Sequence, residues 1–92
     1  MTNNEMFAKL LHLTGLGKKR ETVFEIFRLG GNMGVSRSMI DGWRRPIEHK
    51  RATHMSDLTL RQFMDGLFAY RDIRKEEFGE DVFHFAELDS AG

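Results

Sequence analysis

The chain contains no cysteine among its 92 residues. Disulfide staples, thiolate catalysis and cysteine-ligated zinc are therefore excluded. It has one proline, Pro46, which disfavours helical geometry in Arg45 and so marks a helix end. No apolar run approaches the roughly 20 residues of a membrane span. The start, Met1-Thr2-Asn3-Asn4-Glu5, lacks the basic head and apolar stretch of a secretory signal, so a cytoplasmic location without membrane attachment is expected. Net charge is also missing, with 14 basic side chains balanced by 14 acidic ones.

What is present suits one small domain. Apolar residues make up 40% of the chain, which argues against disorder throughout. A chain this short buries only about 60–65% of its unfolded surface, so a monomer has little stability to spare. The balanced charge is unevenly placed. Residues 18–51 carry a net charge of +5 and residues 52–92 a net charge of −5. That asymmetry suits either a polyanion-facing surface with a separate acidic tail or two halves that attract each other.

Apolar spacing predicts four helices. The first spans 4–14, with Met6, Phe7, Leu10, Leu11 and Leu13 on one stripe, Asn3 or Asn4 as its cap and Gly15-Leu16-Gly17 as its end. The second runs from Lys18 to Leu29 on Val23, Phe24, Ile26 and Phe27. The third begins at Ser36, carries Met39, Ile40 and Trp43, and stops before Pro46. A basic connector fills 46–55. The fourth helix starts at Ser56 or Asp57 and continues to about Arg74 on Leu60, Phe63, Met64, Leu67 and Phe68. The expected fold is all-α: four to five short helices in a compact orthogonal bundle over 1–75. Residues 76–92 form an acidic extension in which Val82, Phe83, Phe85 and Leu88 supply a short apolar cluster for a final element.

The informative stretch is Ile26–Arg45. A helix-turn-helix needs a small residue where its helices cross and glycine where φ turns positive. It also needs apolar residues on the inner side of the second helix. Gly30 is read as the crossing residue, Gly34 as the turn, and Leu29, Met33, Ile40 and Trp43 as the inner side. The run Gly34-Val35-Ser36 followed by Ile40 and Trp43 resembles the helix-turn-helix of phage-repressor-like regulators. In that geometry Ser36, Arg37, Ser38 and Arg44 face outward, with Arg37 as the base reader and Arg44, Arg45, Lys50 and Arg51 on phosphates. The expected partner is duplex DNA. Three features oppose this reading: Asp41 brings an anion to the same surface, Gly31 and Gly42 suit helix interiors poorly, and the charge balance is neutral.

The chain also resembles the YehS-like family of small bacterial proteins over residues 3–71. The resemblance rests on Asn3-Asn4, Glu25-Ile26-Phe27 with Gly31, Val35-Ser36 with Ile40 and Trp43, and Ser56-Asp57 with Leu60, Phe63 and Gly66-Leu67. It implies a helical fold and no agreed activity. Members usually carry two such units in tandem and this chain carries one, so a homodimer that replaces the missing unit is expected.

The alternative reading is a non-enzymatic protein-interaction module, an adaptor or an inhibitor, using Glu76, Glu77, Phe83 and Phe85. Catalysis is not expected, because Ser36 and Ser38 have no evident base partner. His12, His49, His54 and His84 lack the spacing of a helical zinc site, so no metal or cofactor is expected. Gly15-Leu16-Gly17-Lys18-Lys19 has neither the preceding strand nor the spacing of a phosphate loop.

Overall fold

A computed structural model describes residues 1–79. Within them the chain forms four α-helices: α1 (Asn3–Thr14), α2 (Arg20–Leu29), α3 (Arg37–Trp43) and α4 (Asp57–Phe78). A short 3₁₀ turn, Leu16–Lys18, joins α1 to α2. The expected all-α bundle is what the described residues adopt. Phe83, Phe85 and the rest of residues 80–92 lie outside them.

The cap of α1 is not the asparagine that the sequence suggests. Thr2 adopts extended backbone geometry and its hydroxyl accepts the Glu5 N–H at 3.1 Å. Both asparagines are thereby left for tertiary contacts. Gly15 ends the helix in the left-handed conformation at φ 74°, as expected. At the other end of the chain α4 continues beyond Arg74 to Phe78, so Glu76 and Glu77 sit on this helix rather than in a separate extension. Ser56 caps α4 by accepting the Thr59 N–H at 3.1 Å.

Each helix contributes one aromatic side chain to the centre. Phe7, Phe27, Trp43 and Phe63 are all buried. Phe63 meets Phe7 edge-on at 4.9 Å and lies 5.2 Å from Phe27, while Trp43 meets Phe27 at 5.5 Å. Such pairs add about 0.5–1.5 kcal/mol each beyond the area they bury. Leu11, Val23, Ile26 and Ile40 fill the space around them. The stripe on α1 is narrower than the spacing suggests. Phe7 and Leu11 are buried, but Leu13 is 61% exposed and Met6 is also exposed. Only one side of α1 faces the aromatic centre, and Met6 and Leu13 lie too far round the helix to reach it.

The closest crossing joins α2 to α4. A β-carbon built on Gly30 would lie 1.8 Å from the Gln62 carbonyl oxygen. One built on Gly66 would lie 1.8 Å from the Ile26 carbonyl oxygen. Gly30 is thus a crossing residue, but its partner is α4 and not α3. No Cα of α2 comes within 8 Å of one in α3. The turn after α2 is made by Gly31, at φ 93°, and Gly34 does not have positive φ. Met33, expected on the inner side, is 79% exposed, and the stretch from Asn32 to Ser36 forms no helix that would turn it inward. The tight corner that a helix-turn-helix requires between its two helices is therefore not built from Gly30, Met33 and Gly34.

Candidate nucleic-acid interface

Asn4 fixes the segment that carries most of the candidate cations. It is only 2% exposed. Its amide donates to the Thr53 carbonyl at 2.9 Å and to the Arg45 carbonyl at 3.1 Å, and its oxygen accepts the Met55 N–H at 2.8 Å. Asn3 adds bonds to the Met55 carbonyl at 3.0 Å and to the Asp57 carboxylate at 2.7 Å. The connector between α3 and α4 is therefore held onto α1 by side chains that satisfy its backbone groups. Gly42 lets it lie flat on α3: a β-carbon there would sit 2.4 Å from the Thr53 hydroxyl. The Thr53 N–H donates to the Gly42 carbonyl at 3.1 Å. The helix-weakening residue is thus a docking surface for the connector.

Helix α3 presents Arg37 and Arg44 along one side, because two turns separate them. Arg37 is exposed and has no charged partner among the described residues. Arg44 is exposed and donates to the Gly17 carbonyl at 3.0 Å, which joins α3 to the 3₁₀ turn. Lys18 and Lys19 are exposed on that turn. Arg45 is half-buried and donates to the Arg51 carbonyl at 3.4 Å, so the connector with Lys50 and Arg51 continues from the end of α3.

The acid that opposed the reading is neutralised. Asp41 accepts from the Arg20 guanidinium at 2.9 Å, and both side chains are about one third exposed. Three further arginines among the described residues are engaged elsewhere. Arg28 pairs with Glu25, and this hydrogen bond holds the Glu25 carboxyl below its ordinary range. Arg71 stacks on Phe68 at 5.3 Å and pairs with Asp72 at 3.2 Å. Arg74 stacks on Phe78 at 4.3 Å and lies 3.9 Å from Glu77. Arg44 thus lies beside Lys18 at the 3₁₀ turn, with Arg37 along the same side of α3 and Arg45, Lys50 and Arg51 in the connector that follows. The acids Glu21 and Glu48 are exposed in the same stretch of sequence, and Glu5 lines a hollow with Arg44 and Arg45.

Two expected contacts are already engaged. The Ser36 hydroxyl accepts the Met39 N–H at 3.2 Å and lies 3.3 Å from the Ser38 hydroxyl. Both serines are exposed, but Ser36 is first the cap of α3. Lys18, Lys19 and Arg20 were not among the expected site residues. The signal was their position directly after a glycine turn, which the comparison with a phosphate loop dismissed. Glu76 and Glu77, named for the protein-binding alternative, are exposed on the last turn of α4.

Among the described residues no group of three or more histidine, aspartate or glutamate side chains gathers to hold a metal ion. No described helix is long and apolar enough to cross a membrane. No family model, curated protein or solved structure matches the chain.

Proposed function

We propose that this protein is a small regulatory nucleic-acid-binding protein that holds duplex DNA by its phosphate backbone. The observation that carries the reading is the Arg44–Gly17 bond, which holds Arg44 beside Lys18. Exposed lysines and arginines on one face neutralise phosphates and release counterions, which gives affinity without sequence discrimination. Base reading has less support. Arg37 has no charged partner among the described residues, but Ser36 is used as a cap, and α3 spans only seven residues with no Cα of α2 within 8 Å to brace it as a helix-turn-helix requires. The Arg20–Asp41 pair supports the reading by offsetting the one acid on α3, which stays partly exposed.

The test is retention of a random duplex at low salt by the wild-type protein and by an Arg37→Gln/Arg44→Gln variant. Strong retention by the first and little by the second supports the reading. Equal retention, or none by either, counts against it.

A second reading has its own observation. Met1, Met6, Leu10, Leu13 and Met64, with the stem of Lys9, line an apolar groove between the outer sides of α1 and α4. Contiguous apolar surface of this kind suits a protein contact. The occupant proposed is a second copy of this chain, which would make the DNA-binding unit a homodimer. Sedimentation of the wild type and a Met6→Gln/Leu13→Gln variant tests it: a wild-type dimer that the variant splits supports the contact, and a wild-type monomer at micromolar concentration rejects it.

A further inference from the structure

Two cations near the 3₁₀ turn line a cleft. Ala8, Leu11 and His12 of α1, Gly15 at its end, Gly17 and Lys18 of the turn, and Arg44 at the end of α3 line a shallow, widely open space of about 340 Å³. No carboxylate lines it among the described residues. One N–H of the Arg44 guanidinium donates to the Gly17 carbonyl at 3.0 Å, which tethers the group to the turn. Its remaining N–H groups have no partner among the described residues. Arg44 is tethered by a neutral carbonyl and forms no ion pair among the described residues, although Glu5 lines the adjoining hollow with it. A guanidinium tethered in this way beside a lysine ammonium suits a tetrahedral dianion, because the planar fork gives two parallel donors and the ammonium a third.

We infer that this cleft seats one phosphate group, with Arg44 and Lys18 as its cationic contacts. The inference rests on the backbone-binding reading above and deepens it: the cleft would take one strand phosphate when duplex lies along the basic face. The same chemistry would also receive a free phosphate monoester.

The experiment titrates inorganic phosphate into the full chain and follows backbone amide resonances. Wild type, Arg44→Gln, Lys18→Gln and, as control, Arg61→Gln on α4 are compared, each first shown to keep its helical circular dichroism. The expected result is saturable shifts at Gly17 and Lys18, with affinity about tenfold weaker in Arg44→Gln and in Lys18→Gln and unchanged in Arg61→Gln. The wild-type protein with bound duplex is then challenged with phosphate and with chloride at equal ionic strength. Stronger displacement by phosphate assigns the seat to a strand phosphate. Saturable phosphate binding without any duplex binding keeps the seat, as a site for a free monoester, while the backbone-binding reading fails. Absence of saturable shifts in the wild type, or equal affinity in all four proteins, overturns the seat even if duplex is bound.

Discussion

Gly30 and Gly66 face each other where α2 crosses α4, each so close to the opposite backbone that a β-carbon would lie 1.8 Å from a carbonyl oxygen. Neither backbone can retreat without opening the aromatic centre, because Phe27 and Phe63 follow from the same two helices and touch at 5.2 Å. Gly30→Ala and Gly66→Ala are each expected to destabilise the fold by about 3 kcal/mol, the upper range for overpacking. Chemical denaturation followed by circular dichroism checks this. A near-neutral effect at either site would contradict the crossing.

Asn4 gives a second stability test, of a different kind. Asn4→Ala leaves the Met55 N–H and the Thr53 and Arg45 carbonyls without their partner. Each buried group left unpaired costs about 1–3 kcal/mol, so a loss of about 2–4 kcal/mol is expected, less where water enters. Hydrogen exchange should quicken first in the connector and not in α2. Uniform quickening would mean that Asn4 supports the whole core rather than this segment.

Asp41 offers a change in the opposite direction. Asp41→Asn frees Arg20 and removes one negative charge from the basic face. A pair with both partners one third exposed contributes at most about 1 kcal/mol to stability, so the fold should hold. Duplex affinity at low salt should rise a few-fold by fluorescence anisotropy. A fall would place Asp41 among the groups that organise the interface.

The apolar stripes that define the helices were legible in the sequence, and so was the core membership of Phe7, Leu11, Val23, Ile26, Phe27, Ile40, Trp43, Phe63 and Leu67. Periodicity reports which side of a helix is apolar, and these residues lie at the centre of each stripe. It does not report how wide a strip finds a partner, which is why Met6 and Leu13 were misplaced. The glycines were harder. Gly30 was legible as a crossing residue, but its partner Gly66 lies 36 positions along the chain, beyond any local pattern. The positive φ fell at Gly31 rather than Gly34, because two adjacent glycines leave the end of α2 undetermined by sequence. For the candidate interface, the basic bias of residues 18–51 was visible, whereas the Arg20–Asp41 pair and the Arg44–Gly17 bond depend on tertiary placement.

Lys18 and Lys19 provide a test of the interface that leaves α3 untouched. Both are exposed and off the core, so Lys18→Gln/Lys19→Gln should fold as the wild type does. The loss of two phosphate contacts should flatten the salt dependence of duplex binding by about 1.8 in log–log slope. An unchanged slope would remove the 3₁₀ turn from the interface.

The proposal that the cations of the 3₁₀ turn and α3 hold the phosphate backbone is tested most directly by the wild-type affinity for a random duplex across a range of salt concentration. Contacts from Lys18, Lys19, Arg37 and Arg44 give an expected log–log slope of about −3.6, with little change on altering the base sequence. A slope near zero, or affinity that one sequence alone commands while others bind not at all, would contradict it.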